Sequence, residues 1–281
     1  MKHSILLLIS IFTSFIATAQ KPFIFGETVE IQSKELGEKR VLNIYLPEGY
    51  KKTDTTRYRV IYLLDGSANE DFPHIAGLVQ FYEMMWLMPK TIVVGIANVD
   101  RKRDFTFPVD KKKYTDTGSS YWFTAFAAKA MQYPKAGHSA KFIAFMEKEL
   151  QPYITSHYPT GQRTIIGQSL GGLMATEFLV KKPQLFDDYI IVSPSLWWDD
   201  ESLLKLVDAQ KISGKTVYIA VGHEDVIGQD AAQLAVMLKQ NKSANIIFRQ
   251  FERETHATIL HNAVYEAFRT LYSKNYMGEG D

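Results

Sequence analysis

Apolar residues along the chain follow two alternating patterns. Short runs of Val, Ile, Leu and Tyr without polar interruption are typical of strands buried on both faces. Stretches in which apolar residues repeat every three or four positions are typical of helices with one buried side. The predicted strands cover residues 41–46, 58–64, 91–96, 164–166, 189–192, 217–221 and 246–251, and the predicted helices cover residues 138–157, 170–180, 230–238 and 261–272. This alternation predicts one α/β domain with a mostly parallel sheet covered by helices on both faces.

The first nineteen residues form a segment of a different kind. Lys2 and His3 precede an apolar run from Ile5 to Ile16, and Ala17-Thr18-Ala19 supplies the small residues that signal peptidase requires. The apolar run is shorter than the roughly 20 residues that cross a bilayer, and a lipid anchor is excluded because no cysteine follows. We therefore expect a signal peptide at residues 1–19, a mature domain at residues 20–281, and a periplasmic or secreted protein without a membrane anchor.

Composition and charge exclude several classes of function. The 281 residues are 46% hydrophobic and 13% aromatic, which is enough for a large core. The formal net charge of +1 provides no field that would attract nucleic acid or an anionic membrane. The absence of cysteine excludes disulfides, thiolate metal sites and a cysteine nucleophile. No dinucleotide-binding or P-loop glycine pattern follows a predicted strand, and H-E-x-x-H is absent, so we expect neither cofactor nor metal.

Residues 101–137 show no clear periodicity. They contain three consecutive lysines at 111–113 and many aromatic residues: Phe105, Phe107, Tyr114, Tyr121, Trp122, Phe123, Phe126 and Tyr133. A loop of this length is usually functional or disordered, and a disordered segment would be poor in aromatic residues. We expect an ordered loop over one end of the sheet, and a decoration packed on its side is the alternative.

The string Gly167-Gln168-Ser169-Leu170-Gly171 indicates a nucleophilic serine. This G-x-S-x-G pattern follows a predicted strand and precedes a predicted helix, a context in which the serine lies at a sharp, strained turn. Glycine is needed two residues to either side, because a Cβ there would collide with the neighbouring chain. The helix N-terminus directs free N–H groups and a partial positive charge towards an oxyanion formed at Ser169.

The serine also needs a base to take its proton and an acid to orient that base. In this fold class the order along the chain is Ser, then Asp or Glu, then His. His256 follows the last predicted strand and is the predicted base, whereas His223 comes too early and His261 falls within the terminal helix. Asp225 is the preferred acid and Glu224 the alternative, since both follow the strand at 217–221. A Ser–His dyad without an acid also stays open.

Two further features complete the predicted site. An oxyanion hole needs two backbone donors, and the first is expected to be the N–H of Leu170. The second is expected in the loop after the strand at 58–64, where Ser67 is preferred and Gly66 is the alternative. Trp197 and Trp198 follow the strand at 189–192 and are candidate surfaces on which a ring of the substrate would stack. Packing of at least one of them in the core is the alternative.

These residues resemble the "putative esterase" family of the α/β-hydrolases, which includes esterase D, enterochelin esterases, feruloyl and acetylxylan esterases, and the mycolyltransferases. The resemblance covers nearly all of residues 20–281 and is carried by Tyr62-Leu63-Leu64-Asp65-Gly66, Gly95-Ile96-Ala97-Asn98, Gly167 to Leu173 and Ser193-Pro194-Ser195-Leu196-Trp197-Trp198. The last string is similar to the enterochelin-esterase side of the family, which is mostly bacterial. The resemblance implies an α/β-hydrolase fold with a central sheet of about eight strands and a serine ester hydrolase. This chain has Asp65-Gly66 where many relatives have His-Gly, a departure that changes the side chains around the oxyanion hole.

The predicted function is an exported serine esterase that acts on a small-molecule ester bearing a ring, such as a siderophore or carbohydrate ester, through an acyl-enzyme on Ser169. An acyltransferase that uses the same triad is an open alternative, because the shape and dryness of the pocket select the acceptor. A non-catalytic binding protein of the same fold is the other alternative.

Overall fold

The computed structural model describes residues 20–109 and 135–272. Eight strands form one sheet in the order β1-β2-β4-β3-β5-β6-β7-β8. The strands are β1 (Glu27–Ser33), β2 (Glu38–Tyr45), β3 (Tyr58–Leu63), β4 (Thr91–Ile96), β5 (Thr160–Gln168), β6 (Asp188–Val192), β7 (Thr216–Val221) and β8 (Asn245–Gln250). The pairs β1–β2 and β2–β4 are antiparallel, and the other neighbouring pairs are parallel. The predicted mostly parallel sheet is confirmed.

Helices pack on both faces of this sheet. They are α1 (Phe72–Met84), α2 (Arg101–Asp104), α3 (Ser139–Phe145), α4 (Gln151–His157), α5 (Leu170–Lys181), α6 (Asp225–Leu238) and α7 (Ile259–Leu271). A π-helical turn at Met146–Leu150 joins α3 to α4, and short 3₁₀ turns lie at Pro183–Leu185, Leu204–Leu206 and Ala209–Ile212. In the part of the chain that the structure describes, no helix is long and apolar enough to cross a membrane.

The continuous hydrophobic runs of the strands are explained by burial on both faces. Along β3, Val60 and Tyr62 belong to the core that α3, α5 and α6 cover. The alternating residues Ile61 and Leu63 belong to a second core, which α1 and α7 cover on the opposite face. Because both faces are covered from Val60 to Leu63, no polar residue interrupts the strand after Arg59, and its two-residue period cannot be seen in the sequence.

Helices α1 and α2 were not among the predicted helices, and two further elements differ from the sequence prediction. Strand β1 was not expected, because it is an edge strand whose residues alternate between exposed and partly buried and form no apolar run. The single helix expected at 138–157 contains the π-helical turn, although Phe142, Met146, Leu150 and Ile154 are all buried as its periodicity predicts. Residues 110–134, which include most of the expected loop, and the expected signal peptide at residues 1–19 lie outside the described residues.

The parallel strands end at one edge of the sheet, and this edge holds the chemistry predicted from sequence. Ser169 follows β5, Glu224 follows β7 and His256 follows β8. Because neighbouring parallel strands direct their carboxyl ends to the same side, residues distant in sequence meet there. The loops after β3 and β4 reach the same edge.

Candidate active site

Ser169 occupies a sharp turn between β5 and α5. Its φ of 59° and ψ of −119° place it outside the conformations that L-residues usually adopt. A Cβ on Gly167 would overlap the Gly171 carbonyl, and a Cβ on Gly172 would lie 2.9 Å from the Pro194 Cα. The collision with main chain expected at Gly171 is not observed, because a Cβ there would meet side-chain atoms of Asp65 and Leu64 at 3.2 Å or more. Gly167 and Gly172 therefore allow the close approach of chains that holds the serine in this strained turn.

His256 lies across the cleft from the turn and contacts a carboxylate. Its Nδ1 is 2.6 Å from Oε2 of Glu224, whose side chain is 8% exposed. Burial acts to raise the pKa of Glu224, but hydrogen bonds from His256 and Ser193 outweigh it and hold that pKa below the ordinary value. Glu224 is therefore an acceptor at neutral pH, so His256 donates its Nδ1–H and its Nε2 is left to accept a proton.

The preference for Asp225 as the partner of this histidine is corrected by the structure. Asp225 is the first residue of α6 and is exposed, whereas the preceding Glu224 reaches the imidazole. A second contact fixes the same loop, because Gln168 Nε2 donates to the main-chain oxygen of His256. The turn that carries Ser169 and the loop that carries the histidine are thus joined directly.

The other downstream histidines lie elsewhere. His223 is exposed near Glu252, and His261 lies on α7 with its Nδ1 3.5 Å from Nδ1 of His74. The cleft itself has a volume of about 410 Å³. It is lined by Asp65, Glu70, Asp71, Arg101, Gln168, Ser169, His256 and Ala257. Ser169 and His256 therefore face the same solvent-accessible space.

The candidate oxyanion donors are distinguished by their main-chain partners. The N–H of Gly66 donates to the Ile96 carbonyl at 3.0 Å, so this alternative is already satisfied. The N–H of Ser67 has no acceptor among the described residues. The N–H of Leu170 begins α5 and has no intrahelical acceptor, as at any helix N-terminus. Of the three candidate donors, Leu170 and Ser67 are therefore the two whose N–H groups have no acceptor among the described residues.

Asp65 begins the loop after β3 that carries Gly66 and Ser67, which we call the oxyanion loop. It forms an ion pair that was not predicted from the sequence. It has a positive φ of 54° and accepts two hydrogen bonds from Arg101, at 2.6 and 2.9 Å, and one from Asn98 at 2.7 Å. Arg101 also donates to the Gln168 carbonyl at 3.2 Å. Although burial acts to lower it, the Asp65 carboxylate raises the pKa of Arg101. Asp65 follows β3 and Arg101 follows β4. Because consecutive strands usually lie near each other in a sheet, this order in the sequence could have predicted that the two residues meet.

The two tryptophans do not line the cleft. Trp198 is 1% exposed, and its indole N–H donates to the Phe107 carbonyl at 2.9 Å. The predicted stacking role of Trp198 is therefore wrong, because both its ring and its polar atom are satisfied within the core. Trp197 is partly buried and packs against the same core.

The fold and the site define a class of protein. A serine at the turn between a central strand and a helix, together with a histidine–carboxylate pair in the same cleft, is the arrangement of an α/β-hydrolase. The sequence from residue 33 to residue 270 matches the family model described as "Putative esterase". The chain belongs to this esterase family and is a serine hydrolase that acts on ester bonds.

Individual relatives agree with this assignment. The chain is 28% identical over 271 residues to the ferri-bacillibactin esterase BesA of Bacillus subtilis, a match that covers 87% of this chain and 89% of the relative. An IroE-like serine hydrolase from Shewanella oneidensis is 29% identical, with a TM-score of 0.73 over 88% of this chain and 80% of that one. The BES protein from Bacillus cereus shares the fold, with 24% identity and a TM-score of 0.74 over 92% and 99% of the two chains.

Proposed function

We propose that this protein is an exported esterase that hydrolyses its substrate through an acyl-enzyme on Ser169, with His256 as base and Glu224 as acid. The observation that carries the proposal is the 2.6 Å contact between His256 Nδ1 and Glu224 in the cleft that also contains Ser169. This contact fixes the tautomer in which Nε2 accepts a proton, as a base for serine requires. Export rests on the sequence of residues 1–19.

The proposed reaction has two halves. Ser169 Oγ attacks the ester carbonyl while its proton passes to His256 Nε2, and the Leu170 and Ser67 N–H groups stabilise the oxyanion. The imidazolium then protonates the departing alcohol, which leaves the acyl group on Ser169. Water then enters the cleft and attacks the acyl carbon while it gives a proton to His256. His256 passes this proton to Ser169 Oγ as the bond between Ser169 and the acyl group breaks, which releases the acid and restores the enzyme. Glu224 stays ionised throughout and stabilises the imidazolium in each half.

We infer a siderophore ester as the substrate class, with a carbohydrate ester as the second choice. The support is a relative named as a ferri-bacillibactin esterase, which matches 87% of this chain at 28% identity. A ring in the substrate remains part of the proposal. Because Trp198 is buried and Trp197 does not line the cleft, the proposed contact between Trp197 and that ring requires a substrate that extends beyond the cleft.

A fluorophosphonate probe tests the chemistry. The chain starting at Gln20 is incubated with the probe, and the labelled residue is identified by mass spectrometry, with Ser169→Ala as the matched control. We expect label on Ser169 and hydrolysis of aryl esters, both lost in the variant. Label elsewhere, or full turnover by Ser169→Ala, would show that the proposed nucleophile is wrong.

Two further measurements test substrate and export. Release of acyl products from bacillibactin is compared with release from acetylated xylo-oligosaccharides at equal ester concentration, and the siderophore is expected to react faster. N-terminal sequencing of protein recovered outside the cytoplasm is expected to begin at Gln20. An intact N-terminus on cytoplasmic protein would overturn the export proposal.

A further inference from the structure

We propose that the two serines of Ser193-Pro194-Ser195 both belong to the reaction machinery: Ser195 is a catalytic residue that hydrogen-bonds the nucleophilic oxygen, and Ser193 is a positioning residue for the acid. This inference rests on the proposed function, because it assigns tasks around the Ser169 nucleophile and the Glu224 carboxylate.

The place of this segment in the sheet makes the double role possible. Strand β6, which precedes it, lies between β5, which leads to the nucleophile, and β7, which leads to the acid. Ser193 N–H donates to the Ala220 carbonyl on β7 at 2.7 Å, and Ser195 N–H donates to the Ser169 carbonyl at 3.0 Å. The segment is thus bonded by its main chain to both sides of the site.

Both hydroxyls are buried and directed at groups of the site. Ser195 is 2% exposed, and its Oγ lies 3.4 Å from Ser169 Oγ. Ser193 is fully buried, and its Oγ donates to Oε1 of Glu224. A buried hydroxyl retains a hydrogen-bond partner because leaving it unpaired costs about 1–3 kcal/mol. Each of these hydroxyls has its partner on the proposed triad.

The chemistry assigned to Ser195 follows from the number of lone pairs on the nucleophile. When the Ser169 proton points to His256, Ser169 Oγ can accept a hydrogen bond from Ser195 Oγ–H. That bond holds the nucleophile in the rotamer that faces the base. During attack the Ser169 proton moves to His256 and the Ser195 proton stays in place, so Ser195 keeps Ser169 Oγ oriented while the negative charge develops on the carbonyl oxygen of the substrate. The 3.4 Å distance is long for a hydroxyl pair, as is common before substrate binds.

Ser193 completes the set of donors around the acid. Oε2 of Glu224 accepts from His256, while Oε1 accepts from Ser193 and from the Gly222 N–H at 3.1 Å. Because each oxygen has its own donors, the plane of the carboxylate is fixed relative to the imidazole. Ser193 makes this contact from a strained backbone conformation with a positive φ of 40°. Pro194, between the two serines, approaches Gly172 in the turn after the nucleophile so closely that a Cβ on Gly172 would lie 2.9 Å from the Pro194 Cα.

Removal of each hydroxyl tests the assignment, with Ser139→Ala as the matched control. Ser139 is also fully buried and bonds a carboxylate, Glu177 Oε1 at 3.0 Å, but it does not line the cleft. Acylation rates are measured with the fluorophosphonate probe and with aryl esters. The total amount of label at the end of the probe reaction gives the number of folded active sites. Each rate is divided by this number, so that variants that fold poorly can be compared.

We expect Ser195→Ala to lower the acylation rate per site about tenfold with KM unchanged. Ser193→Ala is expected to lower kcat by a similar factor and to move the acidic limb of the kcat/KM profile to higher pH, because Glu224 loses a hydrogen bond to its ionised form. Ser195→Ala should leave that limb in place. Ser139→Ala should lose thermal stability without loss of rate per site.

Rates for Ser193→Ala and Ser195→Ala that match the Ser139→Ala rate would overturn the inference and reduce both residues to core packing. That result leaves the proposed function intact as long as Ser169→Ala is inactive. Full activity of Ser169→Ala would instead remove the proposed function. The two failures are therefore distinguishable.

Discussion

Glu224 and His256 are hydrogen-bonded at 2.6 Å although they follow different strands and lie 32 residues apart in the chain. The Glu224 carboxylate is nearly buried and the imidazole is about two-fifths exposed, so the pair has one face against the protein and one towards the cleft. This arrangement keeps the acid dry and the base accessible to substrate. It also identifies which of two adjacent carboxylates can orient the histidine.

Replacement of these two carboxylates is expected to have very different effects. Glu224→Gln removes the charge and the acceptor that select the His256 tautomer, so kcat should fall by about 10³–10⁴. Asp225→Asn changes an exposed residue at the first turn of α6. It should leave kcat within about twofold and lower stability by about 0.3–1 kcal/mol, because a negative charge near a helix N-terminus is favourable.

The measurement is kcat and KM on an aryl ester at pH 8, with unfolding in urea as the control for stability. Both variants keep the shape of the side chain, so differences in rate report on charge and hydrogen bonding. Loss of activity in Asp225→Asn with a silent Glu224→Gln would return the acid to Asp225.

Sequence reasoning reached most of the fold, and its failures have physical causes. Strands buried on both faces leave continuous apolar runs, whereas the half-exposed edge strand β1 does not and was missed. The nucleophile turn was recognisable because the glycine–serine pattern is contained within five consecutive residues, and the collision that Gly167 avoids is with Gly171 in the same string. The choice between Glu224 and Asp225 could not be made from the sequence. The side chains of adjacent residues point in different directions from a turn, and the spacing of residues does not show which of them faces the histidine.

Main-chain partners are equally invisible in a sequence. The sequence favoured Ser67 as the second oxyanion donor and left Gly66 as the alternative, and only the structure shows that the Gly66 N–H already donates to the Ile96 carbonyl. In the same way, Trp198 can be buried because its indole N–H finds an acceptor in the core, the Phe107 carbonyl, and the sequence does not show this contact. Both outcomes depend on contacts between residues more than 25 positions apart in the chain.

Asp230 is predicted to make stability depend on pH. It is 4% exposed on α6, and one of its carboxylate oxygens has no hydrogen-bond partner among the described residues. Burial, with a smaller contribution from the charge of Glu201, raises its pKa to about 7. Between about pH 4 and pH 7 the folded protein therefore keeps a proton that the unfolded chain has lost, and this contribution to stability disappears as the pH rises.

Asp230→Asn should remove that dependence. We expect a Tm about 2–4 °C above that of the parent protein at pH 8 and no increase at pH 4.5. Glu201→Gln should give part of the gain at pH 8, since it removes the repulsion and keeps the carboxyl. The measurement is thermal unfolding at both pH values, and an equal shift at the two would show that Asp230 does not retain its proton.

The ion pair between Asp65 and Arg101 is predicted to hold the oxyanion loop. Arg101→Met leaves the Asp65 carboxylate without its bidentate partner at a residue that is 11% exposed, so kcat/KM should fall about tenfold to a hundredfold. Asp65→Asn combined with Arg101→Met removes both charges and should recover part of the loss. We expect a coupling energy of about 1–2 kcal/mol from the double-mutant cycle.

An exposed ion pair on the same sheet provides the comparison. Lys39 and Glu30 lie 2.8 Å apart with more than half of each side chain exposed. Lys39→Met should change neither kcat/KM nor stability measurably, since exposed pairs contribute little. Additive effects of the Asp65 and Arg101 replacements would show that the pair does not act as a unit.

Gly66 is predicted to be required by the close approach of the oxyanion loop to β4. A Cβ on Gly66 would overlap the Gly95 Cα and lie 2.5 Å from the Ile96 nitrogen, and neither main-chain atom can move aside without displacing the strand. Gly66→Ala should therefore shift the neighbouring Ser67 N–H and lower kcat by about a hundredfold, as loss of one oxyanion donor does.

Gly77→Ala on α1 is the matched control, since its Cβ meets nothing within 4 Å. This second change should stabilise the protein by about 0.5–1 kcal/mol through helix propensity and leave kcat unchanged. Steady-state kinetics and urea unfolding of both variants check the pair, and a Gly66→Ala protein with normal kcat would place the second oxyanion donor outside this loop.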